Sequence, residues 1–318
     1  MNEMKSKFWT RGIVVIITAF FCCTLWGSAS PAIKIGYKLF DIEADDTASR
    51  ILFAGIRFMI AGVMVILTGS FMAKKVLIPR IVSIKYVAVL AMFQTIIQYI
   101  FFYMGLAHTS GVRGSIINAA GSFFSIFLAV AVFHFEKLTL RKVIGSILGF
   151  AGVLLVITGG NLSFMEGSVS LQGEGALLMA CLASAFAGCF IKLFSSKEDP
   201  VTLSGWQFLI GGTVMTIVGY CFGGHFGSIS SAAVSLIIYM GFISAGAYTL
   251  WGILLKYNPV SLVTVLGFIN PVMGVILSAI FLGEQSEAAN ITGIFALVLV
   301  CAGIIVVNTS LERKSRGK

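Results

Sequence analysis

Charged side chains are scarce in this sequence. Only 11% of its 318 residues are Asp, Glu, Lys or Arg, whereas 58% are hydrophobic. Soluble globular chains contain about 25% charged and about 45–50% apolar residues, so a water-soluble fold of this size is excluded. Proline is rare as well, with five residues, and no polar or low-complexity tract is long enough for a linker or a second domain. The composition predicts one polytopic, all-α membrane domain.

Groups that carry catalysis or bind metals are also missing from the apolar segments. No Asp or Glu lies in the core of one, the three histidines lie near segment ends, and no His, Asp and Glu cluster has metal-ligand spacing. The phosphate-binding pattern G-x-x-x-x-G-K-[ST] is absent. We therefore predict no enzyme, no cofactor, no metal, no ATP-driven pumping by this chain alone and no obvious proton relay. The six cysteines lie within apolar segments, where free cysteine behaves as a small hydrophobe and a disulfide framework is not expected.

Ten apolar segments are long enough to cross a bilayer, since a helical span needs about 20 mostly apolar residues. They are Gly12–Ile33, Ile51–Ala73, Tyr86–Ala107, Gly114–Phe133, Val143–Gly159, Gly175–Ile191, Pro200–Gly223, Ser231–Leu255, Tyr257–Gly283 and Ala288–Leu311. The basic residues before the first segment and the small residues Ser28 and Ser30 within it could imitate a cleaved signal peptide. The nine further segments favour an uncleaved first helix.

Lysines and arginines lie mainly in alternate loops, and this bias sets the orientation because cytoplasmic loops retain positive charge. With the N-terminus inside, 17 of the 22 lie in cytoplasmic segments and four in outer ones, and Arg57 lies within a span. Acidic residues cluster in the first outer loop, at Asp41, Glu43, Asp45 and Asp46. The split predicts a multi-pass protein of a bacterial-type plasma membrane with both termini in the cytoplasm. It also explains the net charge of +9 without a nucleic-acid partner.

Several short patterns recur in the two halves of the chain in the same order. Residues 57–62 match 207–212, 131–136 match 279–284, 32–34 match 190–192, and 152–158 match 303–309. Each half holds five segments, an odd number, so the second half must enter the membrane from the opposite side. The sequence therefore predicts two inverted five-helix repeats, residues 1–160 and 173–311, with a substrate site between them near the bilayer midplane.

A further set of residues marks individual spans. They are Leu25, Trp26, Gly27 and Lys34 in span one, Arg57 in span two, residues 135–139 after span four, Trp206 and Gln207 in span seven, Tyr248 and Trp251 in span eight, and Pro271 with residues 282–284 in span nine. With these residues the sequence resembles the EamA-type branch of the drug/metabolite transporter superfamily over nearly its whole length. The resemblance implies ten helices around a central cavity and the export of metabolites such as amino acids. Phe135 departs from the glycine that usually precedes the glutamate at this point.

Polar side chains inside the spans are candidates for substrate binding. Arg57 is the ionisable residue deepest in a span, where charge is costly. It either binds a substrate carboxylate or phosphate, or it snorkels outward or bonds helix carbonyls. Gln94 and Gln98 share a helix face and either contact substrate or bond a neighbouring helix, and Asn118 and Asn270 have the same two alternatives. The full predicted set is Trp26, Arg57, Gln94, Gln98, Tyr99, Asn118, Trp206, Gln207, Tyr248, Trp251 and Asn270, with Pro271 as a gate.

The aromatic candidates and the proline also have structural interpretations. Trp26, Trp206, Tyr248 and Trp251 could form aromatic walls of a cavity for amphipathic solutes. Trp206 and Trp251 also suit an interfacial belt, and small residues beside Trp26 favour helix packing. Pro271 removes a backbone hydrogen bond in mid-span, which predicts either a gate or a static bend.

Two glutamates and a glycine pair have structural readings. Glu136 and Glu284, at the ends of spans four and nine, have two interpretations. They could couple transport to protons, or they suit the N-terminus of the next helix, where the dipole favours negative charge. Thr139 suits the N-cap of span five. Gly145 and Gly149 form a GxxxG motif, which predicts helix packing within the chain or with another subunit.

We therefore predict a secondary transporter that exports amino acids or related small metabolites by alternating access through a central cavity. Its expected partners are a small-molecule substrate and the lipid bilayer. One alternative is a lipid or polyprenyl-phosphate flippase with Arg57 as the headgroup anchor. The other is a receptor or assembly scaffold, which requires no solute flux.

Overall fold

The fold is given by a computed structural model, which describes residues 8–43, 45–135, 137–158, 170–258, 263 and 265–308. These residues form helices and no strand. Among them, nine helices are long and apolar enough to cross a membrane, and a further apolar helix is shorter. The chain is a polytopic, all-helical membrane protein, as predicted.

The helices lie at the predicted segments, and we number them as spans. They are span one Gly12–Leu39, two Thr47–Ala73, three Ile81–Ala107, four Gly111–Ala131, five Leu140–Ile157, six Leu171–Phe194, seven Pro200–Cys221, eight Ser231–Tyr257, nine Leu266–Leu282 and ten Ile291–Asn308. Tyr257 was expected to open span nine but closes the helix of span eight instead. Most of the expected first part of span nine lies outside the described residues, as does Glu136.

Short polar side chains set where the spans begin. The carboxylate of Asp46 accepts a hydrogen bond from the Ser49 amide at 2.9 Å, so span two begins at Thr47, earlier than hydropathy predicts. The Thr139 hydroxyl accepts from the Lys142 amide at 3.4 Å, which is the cap predicted for span five. Each cap satisfies one of the amides that a helix N-terminus leaves without a partner.

Spans two and seven approach each other closely through glycine. A Cβ atom on Gly212 would lie 2.5 Å from the Met59 nitrogen, and one on Gly62 would lie 2.5 Å from the Leu209 nitrogen. No side chain fits at such distances, so the two backbones touch directly. Without a hydrophobic driving force in lipid, such backbone contact is a main source of helix association.

Spans five and ten pack in the same way through the predicted GxxxG motif. A Cβ atom on Gly145 would lie 2.8 Å from the Gly303 oxygen, and one on Gly303 would lie 2.8 Å from the Gly149 nitrogen. The motif therefore packs within the chain. The alternative of a contact with another subunit is not needed to explain it.

The packing partners of the first five spans and the last five spans correspond. Span two packs on eight and span seven on three, while span six packs on both four and three, and span one on both nine and eight. Exchanging each span for the one five places away turns this set of pairs into itself. The pairs two with seven, five with ten and four with nine are unchanged by the exchange.

Spans four and nine are interrupted. Span four divides into Gly111–Asn118 and Ala120–Ala131. In span nine a 3₁₀ turn, Leu266–Phe268, follows the helical residues Val263 and Val265 and precedes the α-helix Ile269–Leu282. Span three also departs from the α-helix, because Ala91–Ile97 is a π-helical segment. Irregular backbone at membrane depth is tolerated where it is buried in protein or lines a cavity, and π segments are frequent at functional sites.

Candidate functional site

Arg57 lies near the middle of the bundle. It is ten residues from the first residue of span two, which at 1.5 Å per residue is about 15 Å, or roughly half of the hydrocarbon thickness. Only 2% of the residue is exposed. The side chain therefore does not snorkel to an interface, which excludes one of the structural alternatives, and it lies deeper than the sequence suggested.

The Arg57 guanidinium donates hydrogen bonds to neutral groups of spans three and eight. Its Nε donates to the Met240 carbonyl at 3.2 Å, Nη1 to the Tyr103 hydroxyl at 3.0 Å, and Nη2 to the Ser244 hydroxyl at 3.2 Å. The guanidinium carbon also lies 4.9 Å from the centre of the Phe58 ring, within the range of a cation–π contact. Bonding to a helix carbonyl, the other structural alternative, is therefore present.

No described carboxylate balances this charge. The ion pairs of the described residues join Arg80 to Glu198 and Arg113 to Glu174, and neither includes Arg57. Removing an ion from water costs several kcal/mol even after relaxation, and dipoles repay only part of that cost. Arg57 is thus a buried cation whose charge no described carboxylate neutralises, so it can bind an anion.

An aromatic cluster contacts the guanidinium through Phe58 and Tyr99. It comprises Trp26, Phe58, Tyr99, Phe208, Tyr248 and Trp251, from spans one, two, three, seven and eight. The ring centres of Trp26 and Trp251 are 5.2 Å apart, and those of Phe58 and Tyr99 are 4.2 Å apart. The structure therefore brings together four predicted residues, Trp26, Tyr99, Tyr248 and Trp251. Offset and edge-on rings of this kind present apolar walls with polar tips.

Amide side chains with unsatisfied atoms adjoin the cluster. The Tyr248 hydroxyl lies near Gln94, which is in the π segment, and near Tyr99. The Gln207 carbonyl oxygen accepts from the Thr95 hydroxyl. However, Gln94 Oε1, Gln98 Oε1 and Gln207 Nε2 are buried and have no hydrogen-bond partner among the described residues. Buried polar atoms are rarely left without a partner in native proteins, so these atoms indicate a polar ligand or water.

Trp206 does not join the aromatic cluster, although it was predicted as a cavity wall. Its indole nitrogen donates to the Leu77 carbonyl at 2.8 Å, and the ring packs against Leu90, Phe194 and Leu203. Leu77 lies in the loop between spans two and three. This position, near the ends of the spans, fits the belt interpretation. The sequence left both interpretations open because a single aromatic residue in an apolar segment does not reveal its depth.

Asn118 and Asn270 lie at the interruptions of spans four and nine and outside the aromatic cluster. The thiol of Cys181 donates to the carbonyl of Asn118 at 3.5 Å, and the thiol of Cys23 donates to the carbonyl of Leu266 at 3.7 Å. Cys23 and Cys181 are separated in sequence by the same offset as the matching ends of spans one and six. These cysteines therefore act as weak donors to carbonyls that the interruptions expose, beyond the hydrophobic role predicted for them.

Pro271 lies within span nine, close to its interruption. It is the third residue of the α-helix Ile269–Leu282, directly after the 3₁₀ turn, and Val263 and Val265 before the turn are also helical. Proline lacks the amide hydrogen that an α-helix uses for bonding, so Pro271 contributes to the interruption. Its role as a gate stays a prediction.

Glu284 caps a helix, but not the one that follows it in sequence. Its two carboxylate oxygens accept from the amides of Gly111 at 3.0 Å and Val112 at 2.8 Å, at the start of span four. The prediction of a helix N-terminus was right, and the choice of helix was wrong because a partner distant in sequence lies closer. The Glu284 carboxylate therefore links the second half of the chain to the first by hydrogen bonds.

Sequence reasoning missed four side chains of the site, one of which is Phe58. Tyr103 and Ser244 bind Arg57, and Phe208 stacks on Phe58 at 5.4 Å. Two of them had a signal in the helical period, since Tyr103 is one turn from Tyr99 and Ser244 one turn from Tyr248. A cavity of about 140 Å³ lies elsewhere, beside spans four, five and ten, and none of the predicted residues lines it.

Comparisons with known proteins find a matching family model, relatives and a solved structure of the same fold. A model of the EamA-like transporter family matches residues 11–158 and again residues 171–309. The chain is similar to the uncharacterized transporter YvbV of Bacillus subtilis, with 27% identity over 91% of this chain and 90% of that one. It is 26% identical to an uncharacterized transporter of Archaeoglobus fulgidus over 93% of this chain and 98% of that one. A protein of known crystal structure, 14% identical, has the same fold, with a TM-score of 0.62 over 93% of this chain and 96% of that chain.

Proposed function

This chain belongs to the EamA-like transporter family, and from that premise we propose that it is a secondary transporter that exports amino acids or related small metabolites. It is a multi-pass membrane protein, so its substrate must cross between helices. The observation that carries the proposal is Arg57, a buried cation without a described anionic partner, set among aromatic rings and unsatisfied amides.

The geometry suits an α-amino acid in particular. Its carboxylate would bind the Arg57 guanidinium, because charge-assisted hydrogen bonds of this type are the strong ones. Its ammonium would donate to the unsatisfied oxygens of Gln94 and Gln98. An apolar or aromatic side chain would pack on Trp26 and Tyr248, whose ring centres are 5.6 Å apart.

We propose that residues 1–160 and 173–311 form two repeats of opposite orientation, with the substrate path along their seam. The matching set of span pairs supports this, as do the equivalent thiol contacts of Cys23 and Cys181. Alternating access would then use spans four and nine, where the α-helix is interrupted. Pro271, just after the interruption of span nine, would serve as the gate.

The proposed location is the plasma membrane, with both termini in the cytoplasm. The unequal distribution of lysine and arginine supports this orientation, because the positive-inside bias acts on short loops such as these. The end of the bundle that carries Asp41, Glu43 and Asp45, which we call the acidic end, would face outward.

Purified protein in liposomes tests the proposal. We expect accumulation or release of at least one labelled solute from a panel of amino acids, nucleosides and amphipathic drugs. Scrambling of a fluorescent phospholipid without solute flux would favour the flippase. Neither solute flux nor scrambling from a monodisperse, folded preparation would refute transport and favour a receptor or scaffold.

A further inference from the structure

A second arginine lies on the same face of span two as Arg57. Arg50 is seven residues earlier, which is two helical turns and about 10 Å along the axis. It was expected in the first outer loop, but the structure places it in the first turn of the helix, and only 2% of it is exposed. Two buried guanidiniums therefore follow each other from the acidic end toward the centre of the bundle.

The Arg50 guanidinium is fixed on one side and unsatisfied on the other. Its Nε donates to the Asp46 carbonyl at 3.2 Å, and its Nη2 donates to the Thr47 hydroxyl at 2.9 Å. Its Nη1 is buried and has no hydrogen-bond partner among the residues the structure describes. Two anchored nitrogens leave the third in a fixed position, where it can bind an anion without further ordering of the side chain.

Nearby carboxylates do not neutralise Arg50. The carboxylate of Asp46 accepts from the Ser49 amide, and Arg50 is in neither of the ion pairs found among the described residues. Asp45 and Asp46 still act on it electrostatically, so an incoming anion has to compete with them. Arg50 is thus suited to brief binding rather than tight capture.

Two tyrosines connect the arginines. Tyr37 lies near Arg50, and its hydroxyl donates to the Tyr103 carbonyl at 2.9 Å. The Tyr103 hydroxyl in turn accepts from Arg57 at 3.0 Å. Phe53 packs between the two tyrosines, with ring-centre distances of 6.1 and 6.0 Å. The region between the arginines is therefore lined by aromatic rings with polar edges.

We infer that Arg50 is a second anion-binding residue on the transport path, which holds the carboxylate of the substrate as it passes between Arg57 and the acidic end. The inference rests on the proposed transport function. The two arginines then have different roles. Arg57 binds substrate that enters from either side of the membrane, and Arg50 binds it only during passage through the acidic end.

The test measures transport separately from each side of oriented liposomes, with the labelled amino acid that gives the highest flux in the panel. Arg50→Gln should raise the apparent KM at the acidic end about ten- to hundredfold, the value of one charge-assisted hydrogen bond, and leave the KM from the opposite side unchanged. Arg50→Lys keeps the charge and should restore part of the loss. Lys38→Gln, which removes an exposed cation at the same end, is the matched control and should leave both values unchanged.

An unchanged KM at the acidic end in a folded Arg50→Gln variant overturns the inference while transport by the unmodified chain stands. An equal effect of Lys38→Gln also overturns it, since general surface charge would then suffice. A defect that occurs in phosphatidylglycerol vesicles and vanishes in phosphatidylcholine vesicles assigns Arg50 to a lipid headgroup instead of the substrate.

A binding measurement covers the case in which no solute is transported. In the Arg57→Gln background, sodium acetate should raise the melting temperature of the purified full chain above that in sodium chloride of equal ionic strength. Adding Arg50→Gln should remove this difference, whereas adding Lys38→Gln should keep it. An acetate effect that survives Arg50→Gln would refute the anion site whatever the outcome of the flux assays.

Discussion

Replacing Arg57 with glutamine separates binding of a substrate anion from a purely structural role. The substitution removes the charge and keeps an amide that can still donate to Tyr103 or Ser244. As an anion anchor, Arg57 contributes at least one charge-assisted hydrogen bond to the substrate, about 1.5–3 kcal/mol. We therefore expect Arg57→Gln to weaken apparent affinity about ten- to hundredfold from both sides of the membrane.

The effect on stability should be small, which makes the test sharp. Three hydrogen bonds to neutral acceptors are lost or weakened, but an uncompensated buried charge is also removed, and its desolvation costs several kcal/mol. These opposing contributions are of similar size. We expect the melting temperature in detergent to stay within a few degrees of that of the unmodified chain, as about 2–4 °C corresponds to each kcal/mol for a domain of 150–250 residues.

The assay compares flux per folded molecule in liposomes, with folding checked by gel filtration and thermal melting. Arg80→Gln is the matched control, because Arg80 is exposed and pairs with Glu198 in the loops of the opposite end. It should transport normally. Undiminished transport by a folded Arg57→Gln protein, or a large loss of stability with normal flux in the folded fraction, would refute the anion-anchor role.

Further substitutions test the amides, the helix packing and a carboxylate in a loop. Gln94→Leu and Gln98→Leu should each weaken the apparent affinity for an amino acid about tenfold, the value of about one hydrogen bond, in equilibrium binding; unaltered affinity in both would exclude the amides from the site. Gly212→Leu should lower the melting temperature strongly because its Cβ would meet backbone. Gly188→Leu is the control and should not, because the space around its Cβ is open. Equal effects would contradict close packing of spans two and seven. Hydrogen bonds from Ser83 and from Arg80 lower the pKa of Glu198 from 4.5 to about 2, so its contribution to stability is present above pH 4.5 and lost as the pH falls toward 2. Melting curves should show Glu198→Gln losing less stability than the unmodified chain across that pH range, and parallel curves would count against the assignment.

The spans and their order could be predicted from the sequence because lipid imposes one requirement on every segment. A run of apolar residues must satisfy its backbone internally, so hydropathy alone locates the helices. Thr139 was recognised as a cap for the same local reason, since its partner is three residues away. The start of span two was missed because its cap, Asp46, stands in a polar stretch that hydropathy assigns to the loop.

Contacts between distant spans could not be predicted in the same way. Arg57 was identified by its unusual depth, but its acceptors Met240 and Ser244 lie in span eight, and nothing near Arg57 in sequence points to them. Trp206 and Trp251 could not be distinguished by residue type or by sequence context. Trp251 joins the aromatic cluster, whereas Trp206 packs near the loop between spans two and three. The helix that Glu284 caps could not be predicted either, because Gly111 at its start lies in the other half of the chain.

The glycine contacts limit how this protein can change shape. Where backbone rests on backbone, as at Gly212 and Gly303, no layer of side chains exists that could shear or repack. Spans two and seven therefore move together as one rigid pair, and spans five and ten as another. Each rigid pair ties the first half of the chain to the second, so the two halves cannot separate as rigid blocks. In the proposed alternating access, opening would pivot about these pairs, and the interrupted spans would bend.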